Sequence, residues 1–190
     1  MVANITDKYK NKYRIPTNRL RGYDYGAGGC YYVTICTKNR EHYFGEVVIE
    51  TNTESPQHTL QPTQIGEIAG KFWSDIPNHF PFVVLDQFVV MPNHIHGILL
   101  FNKTAISWQA NKFGSQSQNL GSVIRGFKSS LKRYADENNI IFAWQERFYD
   151  NIIHDNNSLD RVREYISKNP QNWNEDELNG KNKNAKLISL

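Results

Sequence analysis

His94 and His96 flank a single isoleucine in the segment MPNHIHG, residues 91–97, immediately before the apolar run ILLF. In an extended strand, residues i and i+2 project from one face with Cα atoms about 6.5 Å apart, so two imidazoles at this spacing can converge on one metal ion. The intervening Ile95 then points the opposite way, into packing. The spacing suits equally well two polar residues that hydrogen-bond to backbone or water at a strand start. A third ligand separates the two readings.

His42, His58, His79 and His154 are scattered, and no Cys-x-x-Cys occurs, which disfavours a structural zinc site. An oxygen donor with open coordination positions would suit Mg2+ or Mn2+, ions that assist phosphodiester cleavage. The segment YISKNP, residues 165–170, contains such a donor. Four helical residues rise about 6 Å and turn through roughly 400°, so Tyr165 and Asn169 stand one above the other, about 40° apart around the axis. A helix laid across the sheet could offer a phenol nucleophile and an amide oxygen together to a metal held by His94 and His96. The competing reading places Tyr165 at the edge of the apolar stripe Leu159, Val162 and Ile166, with Asn169 only ending the helix before Pro170.

These residues need elements to hold them. GCYYVTICT, residues 29–37, alternates with Tyr31, Val33 and Ile35 on one face and predicts a strand. HYFGEVVI, residues 42–49, predicts a partner strand or turn, and the polar stretch 50–63, with two prolines, predicts a loop. Ile65, Ile68, Ala69, Phe72, Trp73 and Ile76 recur at helical spacing until Pro77. Residues 82–90 and 94–101 form an expected hairpin around MPN, and 102–118 read as an exposed loop. Leu120, Val123, Ile124, Phe127, Leu131 and Tyr134 restore helical period, with Arg125, Lys128 and Lys132 on the other side. A strand pair is expected within 140–154, then a helix capped by Asn157 or Ser158 and stopped by Pro170.

This order predicts an α+β fold: a ferredoxin-like, RRM-like antiparallel sheet with helices mainly on one face. Residues 1–173 are expected to form one domain with a basic N-terminal segment. Residues 174–190 read as a polar, mobile tail unless Trp173 or the terminal LISL docks.

No run approaches the length of a membrane span, and the N-terminus shows no export signal. Cys30 and Cys36 in one strand lie roughly 20 Å apart, beyond disulfide reach, which fits a reduced cytoplasm. A formal net charge of +3 does not by itself imply a nucleic-acid partner. Its distribution is more telling. Lys8, Lys10, Lys12, Arg14, Arg19 and Arg21 cluster against Asp7, interleaved with Tyr9, Tyr13, Tyr23 and Tyr25.

The succession PNHIHGIL, LGSVIRGFKSSLKRY, WQERFYDNII and YISKNP resembles the single-tyrosine HUH transposases, above all the REP-associated tyrosine transposases. RLRGYDYGAGGCYYVTICTKNREHYFGEV is similar to their first strands, so the likeness runs from about Arg19 to Trp173. It departs at His154, where these proteins more often carry arginine, and in the stretches 50–64 and 102–118. The resemblance implies His94 and His96 as paired metal ligands, Asn169 as the third, and Tyr165 as the nucleophile. It implies Mg2+ or Mn2+ as cofactor and cleavage and rejoining of single-stranded DNA near hairpins through a 5′-phosphotyrosine. Lys12, Arg14, Arg19, Arg21, Arg125, Lys128 and Lys132 are then the expected DNA contacts, in a protein expected to act as a monomer, with a dimer as the alternative. Rival readings are a hairpin-binding protein without cleavage and a metal-dependent hydrolase of small phosphoesters in which water attacks.

Overall fold

The computed structural model describes residues 8–9, 12–13, 23–25, 27–51, 56–103 and 118–179. Two short strands, β1 (Lys8–Tyr9) and β2 (Lys12–Tyr13), pair with each other. The central sheet is built from β3 (Gly29–Cys36), β6 (Val83–Met91), β7 (His94–Phe101) and β8 (Tyr149–Ile153), in the order β6-β7-β3-β8 and antiparallel throughout. β4 (Gly45–Glu50) and β5 (Gln57–Pro62) form a separate hairpin. The helices are α1 (Gln64–Ser74), α2 (Ile76–His79), α3 (Leu120–Glu137) and α4 (Asn156–Lys168). The fold is therefore α+β, as the order of elements predicts, and among the described residues no helix is long and apolar enough to cross a membrane.

The period of two along the strands divides the molecule. Tyr31, Val33 and Ile35 of β3 and Ile95 and Leu99 of β7 turn to one face, where Ile65, Ala69 and Trp73 of α1 and Val123, Ile124, Phe127 and Leu131 of α3 close the main core. Tyr32 and Ile98 turn to the other face and meet Val162 and Ile166 of α4 in a much smaller cluster. His94 and His96 share parity with Ile98, so they open on the α4 side.

Several local expectations change. Residues 57–62, expected in a loop, pair with β4. Their hairpin stands apart from the main sheet and buries little, so no alternation was needed to form it. The expected strand pair in 140–154 is one strand, β8, plus a single bridge between Thr37 and Trp144. Pro77 does not end a helix. It sits in the first turn of α2, where its missing N–H costs nothing. The cap of α4 is Asp155, whose carboxylate accepts from Ser158 N at 2.8 Å.

Two features fix the histidine strand and α4. A Cβ on Gly97 would lie 2.2 Å from Trp73 Cζ2, so only glycine lets the indole lie against β7 directly behind the histidines. On β6, Asp86 and Gln87 together oppose Ile98, a bulge between the pairs Leu85↔Leu99 and Phe88↔Gly97. Asp86 then receives Arg163 of α4 in a two-pronged pair, Nε to Oδ1 at 2.9 Å and Nη2 to Oδ2 at 2.6 Å. α4 buries only Val162 and Ile166, and to that small contact this pair adds a directional one.

Gly97→Ala should lower stability by about 3 kcal/mol through overpacking against Trp73, read as a fall in the thermal unfolding midpoint. The guanidinium holds the Asp86 carboxyl below its ordinary value of 3.8. A depressed carboxylate contributes stability above its unfolded value, lost as pH falls through the folded one. Asp86→Asn should therefore cost about 1 kcal/mol at pH 7, the partial exposure of Arg163 limiting the effect, and the difference from wild type should shrink in urea titrations as pH falls through the depressed folded-state value of Asp86.

Candidate metal and tyrosine site

The turn between β6 and β7 consists of Pro92 and Asn93, and it delivers His94 and His96 fully buried at the start of β7. Asn93 sets the first ring. Its Nδ2 donates to the carbonyls of Arg40, at 3.2 Å, and Leu178, at 2.7 Å, so its Oδ1 faces His94 Nδ1 at 2.8 Å. An amide oxygen only accepts, which places the proton on Nδ1 and leaves the Nε2 lone pair of His94 open. His96 is held at Nδ1 by Tyr32 Oη at 2.7 Å and Thr34 Oγ1 at 2.9 Å, both from β3. Its Nε2 is buried without a partner, as is that of His94.

Burial makes a charged ring unfavourable. It pushes His94 well below the ordinary imidazole range and His96 down to about 3; the neighbouring His96 and then Arg40 add to the effect on His94, and Arg40 alone adds to it on His96. Both rings are therefore neutral at physiological pH, the state in which imidazole binds a metal. Their centroids lie 4.4 Å apart.

α4 supplies the remaining groups. Asn169, at its C-terminal cap, is 2% exposed, and its Oδ1 is a third buried atom without a partner. The amide is oriented by Asp176 Oδ2, which accepts from its Nδ2 at 2.8 Å. Tyr165, one turn earlier, lies edge-on to His96 with ring centroids 5.3 Å apart and edge-on to Tyr32 at 6.4 Å. Burial, then Asp176 and Glu177, push its phenol up to about 12, with the Asn169 side chain acting in the other direction. The sheet and α4 thus bring together the four residues singled out from spacing: His94, His96, Tyr165 and Asn169.

Asp176 was not among them. It is buried, and its carboxylate and the two imidazoles offer ligand atoms all within 4.8 Å of one another. It reaches the site because Trp173 docks, its ring 6.0 Å from His94 and 5.6 Å from His42. Residues 174–179, expected as the start of a tail, accordingly carry on through two short 3-10 turns against the site. Residues 180–190 lie outside the described residues. In sequence Asp176 is one acid among several in WNEDELNG, so no local pattern marks it. Asn93 was readable only as a turn residue.

Two imidazole nitrogens and an amide oxygen, buried and unpartnered, are what a divalent cation would satisfy, and Asp176 adds the charge such an ion attracts. This mixed nitrogen and oxygen set could hold a divalent metal ion.

The expected DNA contacts divide differently. Arg14, Arg19, Arg21 and the side chain of Lys12 lie outside the described residues. Arg125, Lys128 and Lys132 ride on α3, across the sheet from the histidines and not beside them. Arg125 is exposed, Lys128 Nζ donates to the carbonyls of Gln145 and Glu146, and Lys132 pairs with Asp136.

No protein-family model matches the chain. An uncharacterized protein of Haemophilus influenzae is 35% identical over 170 residues, covering 84% of this chain and 90% of that one. The solved structure of a REP-associated tyrosine transposase bound to a REP hairpin superposes with a TM-score of 0.54 at 18% identity, over 83% of this chain and 74% of the other. The chain belongs to one family with the Haemophilus influenzae protein, and its fold is that of the REP-associated tyrosine transposase.

Proposed function

We propose that the chain is a metal-dependent single-stranded DNA endonuclease and strand-transfer enzyme of the HUH type, a transposase that cuts and rejoins DNA near hairpins through Tyr165. The observation that carries this reading is the convergence of His94 Nε2, His96 Nε2 and Asn169 Oδ1, all buried and unpartnered, beside the Tyr165 phenol. Mg2+ or Mn2+ held by His94, His96 and Asn169, with Asp176 at hand, would supply Lewis-acid polarisation of a phosphodiester.

The Tyr165 phenol oxygen attacks phosphorus. The new P–O bond to tyrosine forms as the P–O3′ bond breaks, the phenol proton leaves, and the departing 3′ oxygen takes up a proton to become a free hydroxyl. The 5′-phosphate stays on Tyr165. A 3′-hydroxyl of the same or another strand reverses the step without ATP. Asn93 keeps the His94 ring aimed and in one tautomer, Tyr32 and Thr34 keep the His96 ring aimed, and Asp176 orients Asn169 at the end of the tyrosine helix.

Hairpin recognition is assigned to the basic, tyrosine-rich N-terminal segment through Lys12, Arg14, Arg19 and Arg21, by phosphate contacts and base stacking. On α3, Arg125 is the readiest contact, whereas Lys128 and Lys132 would first exchange their present partners. The protein is proposed to act in the cytoplasm as a monomer on hairpin-bearing single strands; the solved structural neighbour is itself bound to a REP hairpin.

With Mn2+ and a labelled hairpin from DNA flanking the coding region, the wild-type protein should form a covalent adduct that survives denaturing electrophoresis. Tyr165→Phe should form none while binding the hairpin as before. Hairpin binding without any adduct in the wild type would leave a binding protein, and strand cleavage by Tyr165→Phe would make water the attacking group. Mn2+ titrations should lose measurable binding in His96→Ala and weaken about 10- to 100-fold in Asn93→Ala, which keeps every ligand but frees the His94 ring. Binding equal to wild type in His96→Ala would remove the metal assignment.

A further inference from the structure

We propose that Arg40 binds the scissile phosphodiester, its guanidinium donating to the non-bridging oxygens as Tyr165 attacks; the assignment rests on the strand-cleavage reading above. Arg40 follows β3 in the turn Thr37–Glu41, half-buried at the histidine end of the sheet. Its cation has an unusual neighbour. The guanidinium donates to Cys36 Sγ, and among the described residues it forms no pair with a carboxylate. Burial holds the Cys36 thiol above its ordinary range, so this acceptor is neutral as well as weak. A charged fork with five donors resting on a thiol has most of its bonding capacity unspent.

The backbone places it there against its preference. Asn39 and Arg40 both take left-handed conformations, with φ of 55° and 60°, uncommon for residues other than glycine. Two successive residues keep it because the turn is tied down on several sides. Asn93 Nδ2 donates to Arg40 O at 3.2 Å, and Arg40 N donates to Thr37 O at 3.3 Å. Thr37 Oγ1, fully buried, reaches Glu41 O at 2.7 Å and Asn93 O at 3.0 Å. The side chain that aims His94 therefore also fixes the backbone of Arg40. Strain of this kind, overdetermined by its surroundings, collects where a side chain must be presented in one place.

Charge balance points to an anion. Arg40 lies at the histidines: its guanidinium rests on Cys36, which pairs with His94 across β3 and β7, and Asn93 bridges its carbonyl to the His94 ring. A divalent ion at those histidines plus Arg40 carries three positive charges, and Asp176 offsets one of them. The remaining two match one phosphodiester and one phenolate. Arginine suits the first because its planar fork engages two phosphate oxygens at once.

The test uses the full chain, the hairpin cut by the wild type, and the same strand with a neutral methylphosphonate at the cut position. Arg40→Gln should slow adduct formation about 100- to 1000-fold in single-turnover assays, with Mn2+ affinity no weaker than wild type and partial recovery in Arg40→Lys. In a Tyr165→Phe background without metal, Arg40→Gln should weaken binding of the phosphodiester strand and leave the methylphosphonate strand unaffected. Thermal unfolding of each variant separates this outcome from a collapsed turn: a folded Arg40→Gln that weakens both strands equally overturns the proposal. Wild-type adduct with Arg40→Gln equally fast overturns the role of Arg40 alone, whereas no adduct in the wild type overturns the cleavage reading and this assignment with it.

Discussion

One carboxamide ties the site together. Asn93 occupies a two-residue turn, where its side chain can reach three segments far apart in sequence: the His94 ring, the Arg40 carbonyl and the Leu178 carbonyl. Each of its three bonds depends on the orientation set by the other two. A carbonyl can only accept, so two of them fix the NH2 end, and the oxygen end must then hold the protonated nitrogen of His94. The unpartnered lone pair of that histidine is thus a consequence of where residues 40 and 178 lie. Removing the amide would free the ring and take one tie each from the strained turn and the C-terminal 3-10 segment.

The sheet explains why such wiring is needed. Its two faces are unequal: α1 and α3 cover one with a continuous apolar core, and α4 covers the other through a small cluster. Apolar packing is non-directional and tolerates small adjustments, but polar groups withdrawn from water must find partners. On the α4 face the partners come from hydroxyls and amides of β3, the turns and residues 173–179. The Asp86–Arg163 pair provides what the small cluster lacks, a directional contact that sets where along β6 the helix rests. The position of Tyr165 therefore depends on a bulge in a strand that does not carry the histidines.

Much of this was legible in the amino-acid order, for physical reasons. A period of two placed His94 and His96 on one face with Ile95 behind them, and a period of 3.6 placed Tyr165 above Asn169. Both are properties of single elements, and the assembled domain brings the two pairs together. What escaped depends on tertiary contact. Asp176 enters because Trp173 docks against His94, a fact of shape that a polar stretch does not advertise. The strand at 57–62 follows from pairing with β4, since its own residues show no alternation. Helical period identified the face of α3 that carries Arg125, Lys128 and Lys132, but not which side of the sheet that helix covers. Arg40 was invisible for a related reason: its meaning lies in a positive φ and in Asn93, neither of which a residue type reveals.

The phenol illustrates how these surroundings would shape chemistry. An unperturbed tyrosine, with a pKa near 10, yields a phenolate that leaves phosphorus far more readily than a sugar alkoxide, so a phosphotyrosine in water lies uphill of the diester it replaces. Burial and the acidic pair Asp176 and Glu177 move Tyr165 up to about 12, towards the alcohol range. The anion becomes a stronger nucleophile and a poorer leaving group, and the two oxygens that compete for phosphorus come closer in energy. On the proposed reading, an enzyme that must both cut and rejoin with one residue gains from that approach. The same burial that keeps the imidazoles neutral therefore also acts on the phenol.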